Sequence, residues 1–163
     1  MTTTTTLQRL STVSPASARV QHLASWVPTL WIAYIFIWYL QYKFTGHPGS
    51  VDLFTTLTDW LGFHGYEKVM RIGTGSTELV ASLVLLVPRL RIYGAVMAIG
   101  IMTGAIFFHL ASPLGVDPYG DGGVLFKEAV SVWLSGWLIL ILHRDEVAQL
   151  LLRFTAARAA TRS

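Results

Sequence analysis

The sequence predicts an all-α, polytopic membrane protein: a four-transmembrane-helix bundle with an interfacial helix in its first outer loop. Three observations carry this. Hydrophobic residues make up 53% of the 163 positions and charged residues only 13%, against about 25% charge in a typical soluble domain. Four segments are apolar over the roughly 20 residues a helix needs to cross a bilayer. Eight of the nine arginines, all but Arg71, fall so that four crossings place them on one side. The length suits one membrane domain, residues 25–144, between two tails.

Residues 1–24 begin MTTTTT and continue with scattered Ser, Thr and Ala and no apolar core. They read as a flexible cytoplasmic tail, not as a cleaved signal peptide. The first span is expected from about Trp26 to Lys43 and the second from about Lys68 to Val87. The third is expected from about Ile92 to Ala111 and the fourth from about Val124 to His143. Between the first two, Val51, Leu53, Phe54, Leu57, Trp60 and Leu61 recur at helical spacing, which predicts a helix lying over the bundle mouth. The other outer loop, ASPLGVDPYGDGG, is rich in Pro and Gly and is expected to be irregular. Residues 145–163 are basic and amphipathic and are expected to lie on an anionic leaflet.

Orientation follows from charge. Arg9 and Arg19 precede the first span, Arg89 and Arg91 sit in the turn between the second and third, and Arg144, Arg153, Arg158 and Arg162 follow the fourth. These groups mark the cytoplasmic side, so both termini are expected there. The net charge of +3 therefore belongs to the membrane flanks and gives no reason to expect a nucleic-acid partner. With no cysteine in the chain, disulfides, thiolate metal sites and a cysteine nucleophile are excluded.

The remaining signal is charge inside the apolar segments. An intramembrane ionisable group costs about 2.5–3.5 kcal/mol on insertion scales, so such groups usually face the bundle interior. Arg71, Glu78, His109, Lys127 and Glu128 qualify, with Lys43 at the end of the first span. Arg71 and Glu78 are seven residues apart and share a helix face with Thr74, Gly75 and Ser82. His109 shares one with Ala105, Met102, Ala98 and Gly94, and Glu128 one with Ser131 and Ser135. Small residues let membrane helices approach closely. All these charges gather in the outer half of the bundle, with Glu78 as the expected floor, aimed at His109 and Lys127. Span one adds an aromatic stripe of Trp31, Tyr34, Trp38 and Tyr42, either the wall of a pocket for a flat ligand or an aromatic belt facing lipid.

Three readings of the charges stay open. They neutralise one another, for example Arg71 with Glu78 and Lys127 with Glu128, and only fix helix register. They form a proton-handling or ligand-binding pocket. Or Glu78, His109 and Glu128 hold a metal, for which the donor types suit but no close spacing argues.

The blocks YKFTGHPGSVDLFTTL, GTGSTELVASLVLLVPRLRIYGAVMAIGIMTGAIFFHL and DGGVLFKEAVSVWLSGWLILILHR resemble the DoxX family of small four-helix membrane proteins. The resemblance covers roughly residues 30–143. It implies a bundle in the bacterial inner membrane. Some members of the family are subunits of thiosulfate:quinone oxidoreductases, and others associate with redox-defence proteins. Lys43, Glu78 and His109 stand where the family often shows polar residues. Without cysteine, thiosulfate chemistry through a protein thiol is excluded for this chain.

The expected function is thus a redox-associated membrane protein with a pocket for a quinone or other small molecule. Glu78 and His109 are the candidate proton-handling pair, and Lys43, Arg71, Lys127, Glu128, Trp38 and Tyr42 the candidate ligand-binding residues. No intrinsic cofactor is expected, and quinone is the candidate bound one. The alternatives are an accessory subunit packed against other membrane subunits or its own copies, and a small transporter.

Overall fold

The computed structural model describes residues 15–150 and 152 of the chain. These fold into six helices, with no strand among the described residues: α1 (Pro15–Ala24), α2 (Trp26–Thr45), α3 (Pro48–Trp60), α4 (Glu67–Leu86), α5 (Arg91–Ala111) and α6 (Val124–Leu142). The helices α2, α4, α5 and α6 are each long and apolar enough to cross a membrane, which makes this a multi-pass membrane protein. Their bounds differ from the expected ones by at most two residues.

The first helical stretch corrects an expectation. Residues 15–24 were expected to belong to a flexible tail, but they form α1, which continues into α2. The joint, Ser25, keeps a right-handed helical backbone. The i→i−4 pattern therefore carries through it, with Ser25 N–H donating to the Gln21 carbonyl at 3.0 Å and Thr29 N–H to the Ser25 carbonyl at 3.2 Å. PASARVQHLA also has proline at its first position and Ala, Arg, Gln and Leu after it, residues that suit a helix start and a helix interior. Residues 1–14 and most of the predicted C-terminal tail lie outside the described residues, while 144–150 continue as helix.

Around the bundle the order is α2, α4, α5, α6 and back to α2, with α3 laid against α4 and α2 at one end. The core is built from Ile32, Phe36, Ala81, Leu85, Ala95, Ala98, Val132 and Ile139. Leu30, Ile37, Leu83, Val96, Leu134 and Ile141 point outward and are exposed. A helix that is apolar on both its inner and its outer face fits a hydrocarbon surround. Close approach is set by glycine: a Cβ on Gly94 would sit 2.6 Å from the Leu85 backbone nitrogen, so α4 and α5 touch backbone to backbone beside their turn.

The end carrying that turn and the termini has its own anchor. Arg91 was expected as a flanking charge of the turn, but it is fully buried. Its Nη1 donates to Ser25 Oγ at 2.7 Å, and its guanidinium carbon lies 4.0 Å from the Trp26 ring centroid. The arginine thereby ties α5 to the joint between α1 and α2. His143 is buried nearby, within 3.1 Å of Glu146 through Nδ1 and edge-on to His22.

Candidate functional site

The opposite end, carrying α3, holds a cavity of about 570 Å³. Its walls come from α2, α4, α5 and α6, and α3 with Leu114 and Tyr119 closes over it. Most lining side chains are apolar or aromatic, and a few polar groups converge. That is the usual make-up of a small-molecule site, whose volume typically runs from about 300 to 1,000 Å³.

The polar wall starts at Gly75. Without a side chain there, the Lys43 stem and the Phe44 ring pack onto α4, and a Cβ on Gly75 would meet Phe44 at 3.0 Å and the Lys43 stem at 3.4 Å. One turn further along α4, Lys43 Nζ reaches Glu78 Oε2 at 2.8 Å, with the two side chains 12% and 5% exposed. No other donor among the described residues bonds that oxygen. The ammonium also lies 5.4 Å from the Tyr39 ring centroid. The Tyr39 hydroxyl in turn donates to Glu128 Oε2 at 2.5 Å. Four polar side chains therefore run in sequence across α4, α2 and α6, and all four line the cavity.

His109 closes the far side. Its Nδ1 lies 2.6 Å from the Gly115 carbonyl oxygen. A carbonyl only accepts, so Nδ1 carries the proton, and in that neutral tautomer Nε2 is the acceptor. The ring is held edge-on against Phe126 at 5.5 Å. At the rim, Tyr119 donates its hydroxyl to the Gly49 carbonyl at 3.0 Å. Burial, then the carboxylates of Asp52 and Asp121, push the pKa of that hydroxyl up, which keeps it a donor.

The sequence-predicted residues divide. Glu78, His109, Lys43, Glu128 and Tyr42 line one cavity. Arg71, Lys127 and Trp38 do not. Glu78 was expected to face Arg71 or Lys127, and its partner is Lys43. Arg71 is drawn elsewhere: its Nε donates to Glu67 one turn earlier, and its Nη1 donates to the Lys43 carbonyl. That carbonyl is one of the orphan acceptors at the end of α2, so Arg71 holds the last turn of α2 against α4. Lys127 is exposed beside Gly122. Trp38 is 47% exposed and stacks on Tyr34 at 6.2 Å, so the aromatic stripe faces outward except at Tyr42. Glu78, His109 and Glu128 share the cavity but do not group as metal ligands among the described residues.

Sequence reasoning missed Tyr39, His47, Thr77 and Tyr119. Tyr39 was within reach, because it precedes Lys43 by one helical turn and so shares its face. Tyr119 comes from an irregular loop, where no periodicity tells which side chain turns inward. No family model, curated protein or solved structure matches the chain.

Proposed function

We propose that this protein is a DoxX-like, redox-associated protein of the bacterial inner membrane that binds a quinone-sized molecule in the cavity at its α3 end. The observation that carries the reading is the meeting of Lys43–Glu78, Tyr39–Glu128 and His109 in the wall of one largely apolar cavity. The cavity residues fit a quinone's needs. The Lys43 ammonium donates to a carbonyl oxygen, and Nε2 of His109 accepts from a hydroxyl. Glu78, held by Lys43 at the polar wall, is a group that can exchange a proton with a ring hydroxyl beside it. Lys43 and Tyr42 form the wall on α2, while Arg71 supports the site by fixing the end of that helix. The placing of arginines at the terminal end supports cytoplasmic N and C termini.

Titration of purified protein in lipid nanodiscs with a benzoquinone tests the reading. Saturable binding that weakens at least tenfold in Glu78→Gln is expected, and equal affinity in the two proteins would overturn it.

One observation favours a second reading, an accessory subunit of a larger membrane complex. Trp31, Tyr34 and Trp38 form an exposed aromatic ladder, with successive ring centroids 6.1 and 6.2 Å apart. Aromatic side chains are enriched where proteins bind one another. Co-purification under mild detergent, lost in Trp38→Ala with the cavity ligand retained, would favour it.

A further inference from the structure

The α3-end cavity has exposed lining in two places. One is the rim at His47 and Tyr119. The other is the gap between α4 and α5, where Thr77 and Gly100 are both exposed and both line the cavity. Thr77 lies midway along α4 and Gly100 midway along α5. In helices that span a hydrocarbon core of roughly 30 Å, that position is the middle of the bilayer.

The gap has firm limits. Toward the turn it ends where Gly94 meets the Leu85 backbone. Toward α3 it ends where Trp60 packs on Phe107 and Phe108, with ring centroids 6.3 and 6.1 Å apart. Between these limits the α5 wall includes Gly100 and Gly104. A Cβ built on either would meet nothing within 4 Å. These glycines do not serve close helix packing within the chain, unlike Gly94 and Gly136, whose Cβ positions are blocked. Their effect is to leave space, and that space joins the cavity of Glu78 and His109.

We infer that the α4–α5 gap is a lateral portal that admits a tailed amphiphile from the bilayer. Its ring seats between Lys43–Glu78 and His109, and its tail lies across Gly100 and Gly104. The inference rests on the small-molecule reading of the cavity and adds the ligand's class and its route. Through this gap the tail never leaves hydrocarbon, so only the ring changes its surroundings. A tail entering at the His47–Tyr119 rim would have to pass between α3 and the loop, where the Tyr119 hydroxyl is bonded to Gly49. Lys43 is already paired with Glu78, and Glu128 accepts from the Tyr39 hydroxyl, which suits a polar ring without charge of its own. The occupant is therefore an isoprenoid- or alkyl-tailed quinone or a similar neutral ring lipid.

The test plugs the gap. Gly100→Phe/Gly104→Phe is made in the full chain beside Gly100→Ala/Gly104→Ala, which controls for folding because both Cβ positions are open. Binding of decyl-benzoquinone and of its tail-less parent is measured in nanodiscs. The portal predicts that the Phe pair weakens decyl-benzoquinone at least ten times more than it weakens the tail-less ring, while the Ala pair keeps the wild-type melting temperature. Equal loss of both ligands, or no loss of either, would overturn it.

A second readout needs no ligand. The chain has no cysteine, so Ala105→Cys places a single nitroxide in the cavity. Its collision rate with bilayer-dissolved oxygen should fall at least threefold with the Phe pair present, and an unchanged rate would overturn the portal. If neither quinone binds the wild-type protein, the quinone reading fails, and the oxygen measurement alone decides the portal. If a second copy of this chain covers Gly100 and Gly104 instead, the wild type will be dimeric and the Phe pair monomeric. Retained decyl-benzoquinone affinity would then rule the portal out.

Discussion

Replacing Glu78 by glutamine leaves the Lys43 ammonium beside a neutral amide in a wall that gives it little water. Breaking a buried ion pair by removing one partner typically costs about 3–5 kcal/mol, because the surviving charge stays desolvated. Here the lower end applies. The Lys43 side chain keeps 12% exposure, and a long stem can carry its ammonium toward the α3 end. At roughly 2–4 °C per kcal/mol for a chain of this size, a cost of about 3 kcal/mol corresponds to a fall in Tm of about 6–12 °C. Lys43→Met should cost less, because the orphaned carboxyl can take up a proton and become neutral. The diagnostic variant is Lys43→Met/Glu78→Leu, which removes both charges and keeps apolar bulk. It should be more stable than Glu78→Gln alone, since exchanging a buried pair for apolar side chains is often neutral or better. Tryptophan-fluorescence melting in one detergent gives the Tm of each, and with Glu78→Leu alone added it closes the cycle and gives the coupling between the two sites. A fall below about 2 °C in Glu78→Gln, or strict additivity in the double variant, would show that the pair is not formed and refute the reasoning.

Other outcomes follow from the same geometry. Gly94→Ala should destabilise the α4–α5 hairpin by about 1–3 kcal/mol, because its Cβ meets the Leu85 backbone at 2.6 Å and backbone cannot step aside; an unchanged melting temperature would contradict that contact. Arg71→Met should lower Tm and weaken ligand binding less than Glu78→Gln does, since Arg71 holds the Lys43 carbonyl and does not line the cavity; thermal melting and quinone titration on one sample separate the two effects. Asp117 makes the outer loop acid-sensitive. Desolvation would raise its pKa, but the backbone N–H groups of Gly123, Gly122 and Asp121 beside it, the last two bonded to its carboxylate, outweigh it and hold the pKa below the ordinary 3.8. A depressed carboxylate pKa stabilises the folded loop above the ordinary value, and that stability is lost as pH falls through the lower folded one. Protection of the Asp121 and Gly122 amides from exchange, relative to an unstructured peptide at the same pH, should therefore fall below about pH 4, and Asp117→Asn should abolish that pH dependence.

Much of the architecture was legible because bilayer length and arginine placement are strong constraints. Four apolar windows and the arginine-bearing turn were enough to set the spans to within two residues. The burial of Glu78 and of the Gly94–Ala98–Met102–His109 face was legible too, since a charge or a small-residue stripe in an apolar helix has few other places to go. The pairing was not. Lys43 reaches Glu78 from another helix, and only because Gly75 lets its stem lie flat. Arg71, seven residues from Glu78 on the same helix, is diverted by a carbonyl whose position depends on where α2 ends. Nor did the sequence tell how α2 is rotated. That helix is aromatic on both sides, so the Trp31–Tyr34–Trp38 ladder and the Tyr39–Lys43 face are equally plausible walls until the neighbours are in place. Helix α1 was missed because a polar, Ser- and Ala-containing stretch resembles a tail until Ser25 is seen to continue the helix.

The central claim is that a ring-bearing ligand sits between Glu78 and His109. A photoreactive azidoquinone, crosslinked to the protein in native membranes and mapped by peptide mass spectrometry, tests it most directly. The account predicts label on cavity-lining residues such as Phe54, Met102 and Phe108, competed away by unlabelled quinone and reduced at least tenfold in Glu78→Gln. Label spread over the outward faces at Leu83, Leu134 and Ile141, and indifferent to competitor, would contradict it.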